Sequence, residues 1–249
     1  MDQYSRSSGG CVMKVAPWLL ARHGELCEGR TVELDPVESR HASGALRLKP
    51  GREVVLTDGA GMVASGELSV NRRGRAEVVV KAVESVKPPV SGLTLAIGVL
   101  AGGAMDLVVQ KAVELGVVSL VPVCCDRSQS GLARAITRAD HWNRIARQAL
   151  KQCRRAWAMD VAPAVSLAAL LAEIDRDRGV VAHPDGGGFE SLGSAPGPVL
   201  LVGPEGGFTS EEEAAIDTAR WSRLRLGPHV LRAETAAIAG SALILARMG

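Results

Sequence analysis

The chain has 249 residues, enough for one large domain or two small ones. Hydrophobic residues make up 47% and aromatics only 3%, so a core must be built from Ala, Val, Leu and Ile, as in α/β architecture. The net charge of +2 says little about partners, and no apolar run approaches the roughly 18 residues needed to span a bilayer.

Residues 1–12 read as a polar, Gly/Ser-rich extension, with Met13 a second candidate start and no basic-then-apolar signal pattern. Residues 13–87 are β-rich. Val32 to Leu34, Glu53 to Thr57 and Ala76 to Val83 are short β-branched or alternating runs. Asp58-Gly59-Ala60-Gly61 and Asn71-Arg72-Arg73-Gly74 are the turns between them. Such spacing predicts a small barrel or sandwich. Lys87-Pro88-Pro89-Val90-Ser91-Gly92 reads as a linker, so a second domain is placed at 92–249.

Leu93 to Leu100 is predicted as a buried strand and 104–115 as a helix. Met105, Val108, Val109, Ala112 and Val113 form the helix stripe, and Gly116 the stop. Val117 to Val123 is the next strand, ended by Pro122 and the Cys124-Cys125 pair. Thr137 opens a further helix, with Asp140 completing a capping box. Val180 to His183 and Val199 to Val202 are later strands, and the last helix runs to about Arg247. Alternating strands and helices predict a mostly parallel α/β sheet.

Between Arg127 and Arg155 there are eight Lys or Arg residues against one acid, Asp140. Arg144, Arg147, Lys151 and Arg154 share one helix face at spacings of three and four. This is an electrostatic footprint for phosphate, with a merely solvated face as the alternative. The five cysteines (Cys11, Cys27, Cys124, Cys125, Cys153) are odd in number and lack CxxC or His-rich spacing. That argues against a disulfide framework or a zinc site and suggests a reducing, cytoplasmic setting.

Two stretches carry the chemistry. Leu200 to Glu212 is a buried strand, a Gly-rich loop (Gly203-Pro204-Glu205-Gly206-Gly207-Phe208) and a helix start capped by Thr209 with Glu212. Neither a GxxxxGK[ST] phosphate loop nor a GxGxxG dinucleotide fingerprint is present, which leaves a ligand loop or a plain tight turn. Leu224 to Ala236 repeats the strand, loop and helix pattern. Glu234 at its helix start suits the dipole; Arg232 does not, unless it has a ligand or partner.

The pair GPEGGF (203–208) and LGPHVLRAETA (226–236) resembles the signature of the RsmE family of SPOUT methyltransferases. Gln110 to Val117, Pro122 and Arg127-Ser128 resemble the same family, as do His41, Leu46 to Gly51 and Asp58 to Gly61 in its N-terminal PUA-like domain. Lys151-Gln152-Cys153-Arg154-Arg155 departs from the family's usual Glu-Gln-Ser-x-Arg by losing the acid.

The resemblance implies a C-terminal SPOUT α/β domain with a deep trefoil knot and a small PUA-like β-barrel at 13–87. It implies S-adenosylmethionine as cofactor, with Leu201, Val202, Gly203, Glu205, Gly206, Gly207, Leu226, Gly227, Val230 and Leu231 around it. It implies methylation of uridine N3 in 16S ribosomal RNA of the small subunit, by a homodimer that needs no metal and no membrane. Arg232, Arg127, Arg155 and Glu234 are the catalytic candidates, each with a structural ion pair or helix cap as the alternative. Arg47, Lys49, Arg144, Arg147, Lys151 and Arg154 are the candidates for RNA phosphates, with Arg22, Arg40, Arg52, Arg72, Arg73 and Arg75 of the N-terminal domain beside them in that reading. His183 and His229 could ligate or bind, with ordinary packing or loop hydrogen bonding as the favoured reading. Two rivals stand beside this reading. One is another SPOUT enzyme, such as a ribose 2′-O-methyltransferase, whose Ser-Leu-Asn run is absent here. The other is a non-catalytic RNA-binding or assembly factor.

Overall fold

The computed structural model describes residues 16–191 and 197–248, so the reading of 1–12 as an extension lies outside the described residues. The chain divides between Val86 and Lys87 into two compact units. Among the described residues no helix is long and apolar enough to cross a membrane.

The first unit holds strands β1 (Trp18–Leu20), β2 (Thr31–Glu33), β3 (Glu53–Thr57), β4 (Met62–Val70) and β5 (Ala76–Ser85), with helix α1 (Pro36–Arg40) after β2. The sheet order is β1-β3-β4-β5-β2, antiparallel except for β1 beside β3. Strand alternation turns Val54, Leu56, Leu68, Val78 and Val80 into one core with Leu19, Val32 and Leu34. The expected turns form. Asp58 is buried and its Oδ1 accepts from Ala60 and Met62 N–H, while Asn71 Oδ1 accepts from Arg73 and Arg75 N–H. β1, β4 and α1 were not anticipated. α1 is set by Asp35, whose Oδ1 accepts from Val37 and Glu38 N–H, and by Pro36 in the first turn.

The second unit alternates strands and helices: β6 (Thr94–Gly98), α2 (Gly103–Leu115), β7 (Ser119–Cys124), α3 (Leu132–Thr137), α4 (Ala139–Cys153), β8 (Asp160–Val161), β9 (Val165–Ser166), α5 (Leu167–Glu173), β10 (Gly179–Gly187), β11 (Val199–Val202), α6 (Ser210–Ala219), β12 (Ser222–Leu224) and α7 (Ala233–Met248). The strands form one parallel sheet in the order β12-β10-β11-β6-β7-β8, with β9 also on β7. The predicted α2 stripe is buried throughout, and Gly116 closes the helix at φ 102°. Val199 and Leu201 share a core with Ile216 of α6 and Leu170 of α5. Leu200 faces the other way, against Gly240 of α7.

Two local expectations are corrected. Pro122 does not end its strand; it pairs with Ile97 inside β7. The Leu120 carbonyl accepts from Ala162 N–H, so Pro122, two residues on, turns its nitrogen to that same side. There the pairing passes from β8 to β9, and no ladder donor is required of it. Thr137 does not cap the next helix either. Its hydroxyl donates to Arg134 O within α3, and α4 begins after Arg138 with no side-chain cap.

The order of the strands places the site. From β6 the chain leaves through α2 toward β7, and from β11 it leaves through α6 toward β12, on the opposite side. Adjacent strands whose connections diverge open a crevice beyond their carboxyl ends, where open α/β sheets bind ligands.

Candidate functional site

A cavity of about 690 Å³ lies at that crevice, within the range of small-molecule sites. Its walls come from Val202 to Glu205 with Gly207 and Phe208 at and beyond the end of β11, from Val230 to Glu234 and Ala236 around the start of α7, from Ala182 to Pro184 within β10, and from Ala104 of α2. The two glycine-bearing stretches, about thirty residues apart in sequence, therefore meet in one pocket. A recess of about 80 Å³ adjoins it, lined by Leu226, Gly227, His229, Val230 and Leu231 among others.

The loop after β11 is held by three side chains. Glu205 Oε1 accepts from Ala101 N–H at 2.8 Å, joining the loops that follow β11 and β6. The Arg127 guanidinium donates to Gly206 O at 3.0 Å and Phe208 O at 3.2 Å. Glu212 is 8% exposed; its Oε1 accepts from Asp126 N–H and its Oε2 from Thr209 N–H, both at 2.9 Å. The Thr209–Glu212 capping box forms as expected, and the same carboxylate clips the 125–128 turn to α6. Backbone approach is close. A Cβ on Gly98 would lie 2.4 Å from Pro204 N, and one on Gly203 would lie 3.1 Å from the Phe208 ring. Gly207 has φ +68°, where a side chain is strained.

Of the residues expected around a cofactor, Val202, Gly203, Glu205, Gly207, Val230 and Leu231 line the cavity, and Leu226 and Gly227 line the recess. Leu201 and Gly206 line neither. Leu201 is fully buried in the core toward α5 and α6, and Gly206 backs onto Arg127. Of the catalytic candidates, Arg232 and Glu234 line the cavity. Neither side chain forms a hydrogen bond or ion pair among the described residues. Arg232 is exposed at the start of α7, with its carbonyl accepting from Ala236 N–H. Arg127 sits behind the loop. Arg155 is not brought to the cavity. Its guanidinium donates to Val113 O and Val117 O, satisfying carbonyls at the α2 end, and burial lowers its pKa.

The cavity also takes His183, for which the sequence favoured packing over binding, and Glu213, which the sequence did not single out. His183 Nδ1 accepts from Asp185 N–H at 3.1 Å, so a neutral ring carries its proton on Nε2, which lies 3.6 Å from Glu213 Oε1. Glu213 Oε2 pairs with Arg223 at 2.7 Å. The available signal was that His183 closes the strand expected from the sequence over 180–183; in the structure it lies within β10.

The basic stripe is only partly as expected. Arg144, Arg147 and Arg154 are exposed, but Lys151 is buried at 7% because its turn of α4 faces the core with Ala149 and Leu150. Arg138 lies 5.9 Å from the Trp142 ring, as a cation–π partner. In the first unit Arg47 and Lys49 are exposed. Cys125 is buried against the clipped turn; burial, then the Glu212 charge, pushes its thiol up to about 12.

Comparison with known proteins adds the following. Residues 87–245 match the RNA methyltransferase domain family. A ribosomal RNA small subunit methyltransferase E from Mycobacterium bovis is 30% identical over 225 residues, covering 84% of each chain. A solved ribosomal RNA small subunit methyltransferase E from Neisseria gonorrhoeae, bound to S-adenosyl methionine, matches with TM-score 0.84 and 28% identity. A putative methyltransferase from Legionella pneumophila, in complex with bound SAM, matches with TM-score 0.86 and 26% identity. Each structural match covers 93% of this chain and 98% of the other.

Proposed function

The chain belongs to the ribosomal RNA small subunit methyltransferase E family, and on that premise we propose that it transfers a methyl group from S-adenosylmethionine to N3 of a uridine in 16S ribosomal RNA. The observation that carries this is the meeting of the 202–208 and 230–236 stretches over one cavity, whose wall holds Arg232 and Glu234, side chains with no hydrogen bond or ion pair among the described residues.

The residues present suit the methyl donor. Val202, Val230 and Leu231 supply apolar wall, and the glycines let backbone N–H and C=O groups reach the adenine edges. When bound, S-adenosylmethionine supplies an electrophilic methyl group on a sulfonium sulfur. The chain must do the rest. Uracil N3–H is a poor nucleophile until its proton leaves and negative charge spreads to O2 and O4. Arg232 stabilises that charge, since a guanidinium is always charged and offers several donors. Glu234 accepts the N3 proton, whereas Glu205 is held by Ala101 N–H. Arg127 keeps the loop in place from behind.

The same reading gives the second unit the SPOUT knot, the first unit a PUA-like barrel, and the assembly two copies. RNA phosphates rest on Arg47, Lys49, Arg144, Arg147 and Arg154, so affinity for ribosomal RNA falls steeply with salt. Mass spectrometry of nucleosides from treated small subunits tests the reaction. N3-methyluridine supports it, and a ribose-methylated product would sink it. Absence of S-adenosylmethionine binding by calorimetry would point to an assembly factor.

A further inference from the structure

One donor–acceptor pair in the crevice cavity has no part in the methyl transfer described above. His183 and Glu213 both line that cavity, with side chains 18% and 28% exposed, so a ligand there can reach them. The strand places His183. Ala182 and Gly187 of β10 both pair with Leu224 of β12, and residues 183–186 are pushed out between them as a bulge. A bulge beside a site re-aims its side chains. Gly186 brings the chain back tightly onto β12, where a Cβ would lie 2.6 Å from Leu224 C.

Each member of the pair is held by its own neighbour. His183 Nδ1 accepts from Asp185 N–H at 3.1 Å, which leaves the proton of a neutral ring on Nε2, the nitrogen nearer Glu213. Glu213 Oε2 accepts from Arg223 at 2.7 Å, and Asp217 holds the same guanidinium at 2.8 Å. His183 Nε2 and Glu213 Oε1 then stand 3.6 Å apart, too far for a hydrogen bond to each other. The wall therefore presents one N–H donor and one anionic acceptor side by side.

The methyl donor brings three formal charges to the cavity. The sulfonium and the α-ammonium are positive, and the α-carboxylate is negative. A charge drawn into a partly enclosed site needs a partner. The ammonium needs an anionic acceptor, and the carboxylate on the same carbon needs a donor. Of the carboxylates in the cavity wall, Glu205 is tied to Ala101 N–H and Glu234 takes the N3 proton. Glu213 has His183 beside it, so this pair offers both functions at once. We propose that His183 and Glu213 hold the amino-acid end of S-adenosylmethionine, Glu213 taking the ammonium and His183 the carboxylate. The proposal rests on the methyl-donor reading of the cavity and adds two residues that position the cofactor and take no part in the proton transfer.

The test is calorimetry on the full-length protein with three ligands. They are S-adenosylmethionine, its decarboxylated form, and 5′-methylthioadenosine, which lacks the whole amino-acid end. Glu213→Gln should weaken the first two by about tenfold to a hundredfold, the range of one hydrogen bond to a charged group, and leave methylthioadenosine unchanged. His183→Ala should weaken S-adenosylmethionine by about tenfold and leave the other two unchanged. Unchanged methylthioadenosine affinity also shows that both variants keep the pocket folded. A variant that loses methylthioadenosine as much as S-adenosylmethionine overturns the proposal, since the pair would then serve the ribose or the fold. So does wild-type affinity for S-adenosylmethionine in either variant, or equal loss of both its forms in His183→Ala. A wild-type protein that binds none of the three would strike the methyl-donor reading itself, and this proposal with it.

Discussion

Gly98→Ala is the sharpest probe of the crevice between β6 and β11. The added Cβ would lie 2.4 Å from Pro204 N, 2.6 Å from Pro204 Cδ and 2.9 Å from Gly203 C. Ordinary carbon contacts sit at about 3.5 Å, so the loop must retreat by about 1 Å. Every atom met is backbone or proline ring, so no side-chain rotation relieves the clash. Overpacking of this kind costs about 1–3 kcal/mol. At about 2–4 °C per kcal/mol for a unit of this size, the melting temperature should fall by about 2–12 °C. The function should suffer more than the fold. The retreat stretches the Glu205 to Ala101 bond and moves the cavity wall, and a 1 Å misplacement can cost about a hundredfold in kcat/KM. Gly103→Ala is the control. Nothing lies within 4 Å of that Cβ, and the position begins α2, so the change should be neutral or slightly stabilising. Calorimetry with S-adenosylmethionine and a thermal scan of both variants decide the matter. Wild-type affinity and melting in Gly98→Ala would refute the reasoning.

Glu212→Ala leaves the N–H groups of Asp126 and Thr209 without their acceptor and should cost about 3 kcal/mol in denaturant titration, two charge-assisted bonds at about 1.5 kcal/mol each; a loss under about 1 kcal/mol would contradict the clasp. Arg232→Ala should lower turnover by about 10²–10³ while cofactor affinity stays near wild type, and an equal fall in both would make it a pocket-shaping residue instead. The buried Cys125 thiol titrates near 12 in the folded chain against an ordinary 9.0. Its stabilising contribution is complete below pH about 9 and is lost as pH rises toward about 12, because the unfolded state gives up its proton first. The denaturation midpoint should therefore fall over that window less steeply in Cys125→Ala than in wild type, and parallel curves would count against the burial account.

What the sequence disclosed and what it hid divide by range. The α2 stripe was legible because a helix repeats its buried face every three or four residues, and Met105 to Val113 keep that period. The Thr209–Glu212 box was legible because both partners sit within one turn. Thr137 and Asp140 satisfied the same pattern and still failed, because α3 already uses the Thr137 hydroxyl. Lys151 shows the limit of counting charges by face: two turns after Arg144 its side chain has rotated into the core boundary. Arg155 looked like a catalytic cation because nothing local reveals that the carbonyls of Val113 and Val117 claim it, about forty residues earlier in the chain.

The contacts that were hidden explain why the legible ones work. Glu205, Arg127 and Glu212 join residues separated by 104, 79 and 86 positions, so no window of sequence contains both ends of any of them. Each binds backbone amide or carbonyl groups of the loops that follow strands, which is how a glycine-rich segment with high conformational freedom becomes a fixed wall. Arg232 and Glu234 are the converse. They line the cavity, and their side chains form no hydrogen bond or ion pair among the described residues, so those groups face a ligand. Glu205, Arg127 and Glu212 are of the same chemical types as Arg232 and Glu234, and only their partners separate structure from chemistry. Substitutions of Arg127 and Glu212, behind the wall, should therefore move stability and cofactor affinity together, whereas those of Arg232 and Glu234 should move turnover alone.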